Sequence, residues 1–285
     1  MHTHTSHSDG ALTPRELVAL AAQKGLAALA LTDHDTLTGL CEAQHTAEEY
    51  GVTFVPGIEI SAQYSGMELH LLGLFIDWQS QPLADTLKRL HATRCERNAE
   101  LLARLNSFGV HINMGHIEAL TISKNAIITR SHFARAIAAA GYCSTPQKAF
   151  VKYLLPGTPT YAERHDISPA EAISAIESAG GISILAHPLR YGIDIREIGP
   201  IIDYLLFEGL QGLECYYSNH SLQEQEELIR VAKKYRLCVS GGSDFHGFHE
   251  DIQLGIGYGN LYVPTFVYDK LYLHKQRLPL TDSQT

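Results

Sequence analysis

Apolar residues recur along this chain in two alternating rhythms. Thr13-Pro14-Arg15-Glu16 reads as a helix start, with a threonine cap, proline at the first helical position and an acid in the first turn, and Leu17, Leu20 and Ala21 then repeat at helical spacing up to Gly25. The run LAALALT follows, continuous and of strand length. A helix near 37–50 precedes the strands TFVPGIEIS and MELHLLGLF, and SPAEAISAIESAGG, which opens with a capping box, leads straight into the strand ISILAH. GLECYY, a charged helix near 221–235 and LCVSGGSDFH complete the series. Strands alternating with helices predict parallel strands in a barrel or a doubly wound sheet. Between Asp77 and about Asp166 the rhythm changes to helix after helix, beginning with PLADTLKRLHATRCERNAELLARLNSFG. Residues 78–166 are therefore predicted as a helical insertion into a barrel built from 1–77 and 167–285. No internal repeat or low-complexity tract interrupts the pattern, and only the segment after Pro279 reads as a polar tail.

Polar residues gain their interest from where they fall in these rhythms. LAALALT ends in Asp33-His34-Asp35, FVPGIE in Glu59, ISILA in His187-Pro188 and LCVSGG in Ser243-Asp244-Phe245-His246, while His70 lies within MELHLLG. In parallel barrels the C-terminal strand ends converge on one mouth, so residues distant in sequence meet there. The first ten residues, MHTHTSHSDG, add to the supply. His2 and His4 alternate with Thr3, so an extended backbone points both imidazoles to one side, and Ser8-Asp9-Gly10 then turns the chain. Other histidines, His45, His91, His111, His116, His165, His220, His249 and His274, follow no strand-end pattern and are read as ordinary core or surface residues. Imidazole mixed with carboxylate suits manganese, iron or zinc, and argues against a calcium site built only from oxygen. Clustered divalent ions polarise phosphoryl oxygens and make hydroxide available near neutral pH, which points to phosphate ester hydrolysis.

Composition narrows the partners. The 285 residues, 45% of them hydrophobic, suffice for a sizeable core. A net charge of -9 argues against a basic surface that coats nucleic acid, while leaving room for a focused basic pocket for a phosphorylated small molecule or a strand end. No run approaches the roughly 18 apolar residues of a membrane span, and the first residues lack the charged and apolar regions of a signal peptide, so a cytoplasmic protein is expected. Five cysteines lie far apart without a CxxC pair, which suits neither a disulfide framework nor a zinc ribbon.

Taken together, HTH, SDG, TDHD, GIEIS, ELHLLGL, LAHP and GSDFH resemble the PHP family, the polymerase and histidinol phosphatase metal hydrolases, in order from His2 to about His249. The likeness implies a distorted (β/α)7 barrel of the TIM-like kind with a helical insertion. SDGALTP, TRSHFAR, KYLLPGTPTY and AHPLRY are similar to the subgroup that acts as 3',5'-nucleotide bisphosphate phosphatases and, in some members, as 5'-3' exonucleases on short RNA. What the resemblance implies is a site for three divalent transition-metal ions, manganese before iron or zinc. His2, His4, Glu59 and Asp244 would hold one, Asp9, His34 and His246 a second, and Glu59 as bridge with His70 and His187 a third, with Glu59, Asp9 and His34 holding the catalytic metal-bound hydroxide. Two departures stand out: only Met1 precedes the first His where family members carry a short apolar strand, and Leu189 stands where the subgroup often has glycine.

For the substrate, Arg94 and Arg97 stand at i and i+3 of a predicted helix and so share a face, which spacing alone leaves open as a solvated face or a phosphate clamp. Ser131 is expected to cap the helix HFARAIAAAG, and a helix N-terminus with Arg130 beside it makes an anion site. In the subgroup, positions matching Arg94, Arg97, Arg130 and Ser131 hold the substrate's 5'-phosphate. Arg190 and Lys152 are weaker candidates for phosphate contact, and His132 is read as a hydrogen-bonding or packing residue. The expected activity is removal of the 3'-phosphate from nucleoside 3',5'-bisphosphates, with short 5'-phosphorylated single-stranded RNA as a second substrate. The alternatives are a histidinol phosphatase or other small phosphomonoesterase, and a non-enzymatic, metal-stabilised interaction module.

Overall fold

A computed structural model describes residues 1–163, 167–248 and 252–279. The expected insertion boundary near Asp166, the polar tail from 280, His165 and His249 lie outside the described residues.

One six-stranded sheet organises the chain, with strands β1 (Ala28–Leu31), β2 (Thr53–Tyr64), β3 (Met67–Leu74), β4 (Ile182–Leu185), β5 (Gly212–Tyr217) and β6 (Cys238–Gly242) side by side in sequence order. Helices α1 (Pro14–Gln23) and α2 (Leu40–Tyr50) flank β1, while α7 (Pro169–Ser178), α8 (Gly199–Phe207), α9 (Leu222–Lys234) and α10 (Thr265–Lys275) accompany the later strands. Between β3 and α7 come the long α3 (Gln81–Ser107), the short α4 (Met114–Glu118), α5 (Arg130–Ala139) and the short α6 (Pro146–Ala149). The predicted elements are thus present, but the sheet is mixed rather than all parallel. β2 and β3 form an antiparallel hairpin closed by Ser65 and Gly66, both at positive φ, and β3 also runs antiparallel to β4. Among the described residues six strands are formed, against the seven of the barrel expectation.

The N-terminal segment accounts for that difference. It lies between the two edges of the sheet as an extended stretch: Thr32 N–H donates to the Thr3 carbonyl at 2.9 Å on the β1 side, and His4 N–H donates to the Phe245 carbonyl at 2.9 Å on the β6 side. It behaves as a stave without becoming a regular strand, and the sheet curls around it. The fit is close enough to exclude side chains at two points. A Cβ at Gly242 would lie 2.5 Å from His2, and one at Gly10 would lie 2.4 Å from the His4 carbonyl.

Among the described residues three apolar clusters result, the smallest joining Leu72, Leu74, Ile182 and Ile184 of the sheet to Val267 and Leu271 of α10. The main core joins the sheet to its helices through residues such as Leu17, Leu31, Ile60, Ile173 and Leu228. A separate cluster, including Leu101, Leu105, Phe133, Ile137 and Leu154, packs the α3–α6 region against itself. α3 spans the main core and this cluster, placing Leu83, Leu87 and Leu90 in the first and Leu101 and Leu105 in the second. No helix among the described residues is long and apolar enough to cross a membrane.

Candidate metal centre

Thr3 faces away from the mouth and the residues on either side of it face in, as alternation in an extended segment demands. The Nε2 atoms of His2 and His4 each lie 3.2 Å from Glu59 Oε2 and 3.4 and 3.1 Å from Asp244 Oδ1. Glu59 is in the middle of β2, not at its end as the sequence suggested, because the strand continues past it in antiparallel pairing with β3. Its second oxygen, Oε1, lies 2.8 Å from His70 Nδ1 and 3.1 Å from His187 Nε2. His34, just beyond β1, reaches Glu59 Oε2 through Nδ1 at 3.1 Å and turns Nε2 toward Asp9 Oδ1 at 3.9 Å. His246 Nε2 lies 3.2 Å from that same Asp9 oxygen. All the expected ligand residues therefore meet in one cluster. His2, His4, Glu59 and Asp244 converge as one group, Asp9, His34 and His246 as a second that also draws in His4, and Glu59 with His70 and His34 as a third, while His187 approaches through Glu59 Oε1.

Chemically, the cluster has the donor set for divalent ions. Buried polar atoms are nearly always hydrogen-bonded, yet His2 Nε2, both ring nitrogens of His4, Asp9 Oδ1, His34 Nδ1, Glu59 Oε2 and His187 Nδ1 are buried without a hydrogen bond of acceptable geometry. Of these, His2 and His4 Nε2, Asp9 Oδ1, His34 Nδ1 and Glu59 Oε2 are ligand-type atoms turned toward one another. In the absence of cations the histidines act as the counter-ions. Burial, the largest influence, works against ionised carboxylates, but the surrounding imidazoles outweigh it and hold Asp9, Glu59 and Asp244 well below the usual carboxylate range. Burial also disfavours imidazolium, yet Asp244 and Glu59 lift His4 to about 10, and Glu59 and Glu68 lift His70 to about 9. At His34 and His187 burial prevails, lowering them to about 3 and about 4.

A second layer orients the cluster, and most of it was not read from the sequence. Glu214, the lone acid in GLECYY, lies 3.1 Å from His2 Nδ1 and accepts from the His187 backbone N–H at 2.8 Å. Asp33 accepts from Thr5 N–H, Thr5 Oγ1 and Ser8 Oγ at 2.5 to 2.7 Å, fixing the turn that carries Asp9. Tyr217 and Arg190 both donate to Asp244 Oδ2, at 3.0 and 3.1 Å. A polar or acidic residue alone in an apolar strand is the signal that would have singled out Glu214. Leu189 sits in a short 3₁₀ turn after His187 and packs against the main core.

The expected phosphate-binding residues divide. Arg94 and Arg97 are buried, which rules out a solvated helix face, and Arg94 is paired with Asp35, next to His34. Arg130 donates to Glu68 Oε1 at 2.8 Å, and that oxygen also lies 3.1 Å from His70 Nε2. Burial raises the Tyr161 phenol, with Arg130 and Arg97 pulling it down and Glu68 pushing it up. Ser131 does not cap α5: Thr129 does, its hydroxyl accepting from Ser131 N–H, and Ser131 sits in the first turn, half-buried. Lys152 is exposed and rests over the Tyr153 ring, in the insertion's own cluster.

Among known proteins, the chain matches the profile of the PHP domain over residues 1–145. It is 37% identical over 248 residues to a 3',5'-nucleoside bisphosphate phosphatase of Chromobacterium violaceum, covering 86% of both chains. It is 34% identical over 249 residues to a 5'-3' exoribonuclease of Haemophilus influenzae, covering 86% of this chain and 89% of the relative. A solved structure, an amidohydrolase from Chromobacterium violaceum with bound sulfate and no metal, superposes with a TM-score of 0.86 at 34% identity, covering 95% of each chain. The protein belongs to the PHP family.

Proposed function

We propose that this protein is a metal-dependent phosphoesterase that removes the 3'-phosphate from nucleoside 3',5'-bisphosphates and also shortens 5'-phosphorylated RNA from its 5' end. The observation that carries the reading is the cluster of buried, hydrogen-bond-deficient imidazole and carboxylate atoms at the mouth, lying beside the arginines of α3 and α5. The relatives' activities support the substrate class.

His2, His4, Glu59 and Asp244 would hold one divalent ion, Asp9, His34 and His246 a second, and Glu59 with His70 and His187 a third, manganese being the first choice for this mixed donor set. Bound there, such ions supply Lewis acidity to a phosphoryl group and lower the pKa of a water near it. The protein's own part is positional. Glu59 presents an oxygen to each side of the cluster, His34 stands between Glu59 and Asp9, and Glu214 fixes His2. Arg97 and Arg130, with Ser131 in the first turn of α5, form the anion site for the remote 5'-phosphate, while Arg94, held by Asp35, anchors α3 to the mouth. The region 78–166 is in this reading a substrate-gripping insertion. A fixed span between the two anion sites makes a terminal monoester at the 3' side a phosphatase substrate and a diester there an exonuclease substrate.

Comparing rates on adenosine 3',5'-bisphosphate, histidinol phosphate and a 5'-phosphorylated RNA pentamer tests the proposal. The bisphosphate and the pentamer should react far faster than histidinol phosphate, and a preference for histidinol phosphate would replace this reading with a small-molecule monoesterase.

A further inference from the structure

We infer that Thr129 is a positioning residue that decides which oxygen of Asp9 faces the metal centre, and that it thereby joins the substrate-gripping helix α5 to that centre. The inference rests on the functional reading above. Thr129 is the N-cap of α5 and comes from the far side of the insertion, 120 positions from Asp9, yet its hydroxyl lies 2.8 Å from Asp9 Oδ2. Both residues are buried.

The direction of the hydroxyl proton follows from its neighbours. Thr129 N–H donates to His132 Nδ1 at 3.1 Å, so that ring nitrogen carries a lone pair already in use. The hydroxyl oxygen accepts from Ser131 N–H at 3.2 Å. The hydroxyl lies 3.2 Å from that same His132 Nδ1 but 2.8 Å from Asp9 Oδ2, and the ionised carboxylate is the closer and stronger acceptor for the single Thr129 proton. Asp9 Oδ1 is left buried with no well-aligned hydrogen bond, 3.2 Å from His246 Nε2. One carboxylate oxygen thus already accepts a hydrogen bond and the other does not, so Oδ1 is the oxygen that Asp9 would offer to an ion. Outer hydrogen bonds of this kind set the orientation of a ligand and its affinity. Because Thr129 begins the helix that carries Arg130 and Ser131, any shift of α5 is felt at Asp9.

Binding of manganese(II) alone, titrated into metal-stripped protein, tests this without substrate. Thr129→Val keeps the shape and removes the hydroxyl, Thr129→Ser keeps the hydroxyl, and Thr129→Gly removes it while leaving a residue that N-caps a helix nearly as well. The Val and Gly variants should bind one of the manganese ions about 10- to 100-fold more weakly, with Ser close to wild type. A role confined to capping would instead lower the melting temperature of the metal-free Val variant and leave manganese affinity unchanged, which overturns the inference. Wild-type affinity in both Val and Gly variants overturns it equally. Wild-type protein that takes up no manganese at all would sink the proposed function along with it, a result visible before any variant is made.

Discussion

The mouth of the sheet and the insertion meet across a few side chains, yet they are built on opposite plans. At the mouth, ligand-type residues from His2 to Asp244 and His246 are gathered from most of the sheet and the segment that closes it, and each is held by a neighbour from another element. In the insertion, Arg94, Arg97 and Arg130 come from two helices that share a core of their own. α3 shows the junction in a single element: its first half packs on the main core, its second half on the insertion's, and Arg94, Arg97 and Asn98 are buried between. The ligand cluster thus belongs to the curled sheet, and the arginines to a body with its own core that touches the mouth through Thr129–Asp9 and Arg94–Asp35.

The change that should cut deepest is at the mouth. Glu59→Gln keeps the shape but removes a negative charge that both sides of the cluster use. Metal content should fall by elemental analysis, and activity on adenosine 3',5'-bisphosphate should drop about 10³-fold or more, the loss of several kcal/mol of charge stabilisation. Full activity with full metal content would make Glu59 merely a core acid.

Next comes the split among arginines. Arg97→Ala with Arg130→Ala should cost roughly 10²- to 10⁴-fold in kcat/KM on the bisphosphate, at about 1.5 to 3 kcal/mol for each charge-assisted contact. Adenosine 3'-monophosphate, which lacks the 5'-phosphate, should barely respond. Arg94→Ala should behave differently, because it leaves Asp35 buried without its guanidinium; a destabilisation of about 3–5 kcal/mol is expected, with both substrates affected alike. Equal losses from all three arginines would erase the distinction.

Leu105→Ala then tests the independence of the two bodies. Leu105 is fully buried in the insertion's cluster, so the substitution should cost about 2–5 kcal/mol. If the bodies are separately packed, manganese uptake survives while the preference for a 5'-phosphate declines. Loss of manganese binding would mean that the insertion is part of the mouth's own scaffold.

The smallest effect is one of pH. His4 and His70 have folded values of about 10 and about 9, above the ordinary 6.5, so their contribution to stability is complete below about 6.5 and disappears as pH rises through 9 to 10. Metal-free protein should therefore melt at progressively lower temperature from pH 7 to pH 10. With metal bound, those imidazoles are already deprotonated and the slope should flatten.

The ligand residues were legible because strand-end placement is a pattern of type and position that a single chain displays. Their orienting partners were not. Glu214 is one acid among apolar neighbours, Thr129 earns its role only through a contact across 120 positions, and Asp35 declares itself only once α3 is folded back. The antiparallel hairpin was within reach, since Ser65-Gly66 is the kind of two-residue connection that turns a strand back on itself. The role of the segment holding His2 and His4 was not, because it is bonded on both sides yet too irregular to show a strand's periodicity.

That N-terminal stave also has a consequence for how the molecule is born. Synthesis releases His2 212 positions ahead of Glu214, and Asp244 and His246, which complete the surroundings of His2 and His4, follow later still. Until then the two histidines have no edge on the β6 side to dock against, and Gly242, whose bare backbone makes room for His2, does not yet exist. Nascent chains therefore carry loose imidazoles but no preformed cage, and acquisition of metal is timed to the arrival of the final strand. The clasp between the His2–His4 segment and β6 works as a check on assembly: a chain interrupted before β6 presents no assembled centre and no untimely hydrolytic activity.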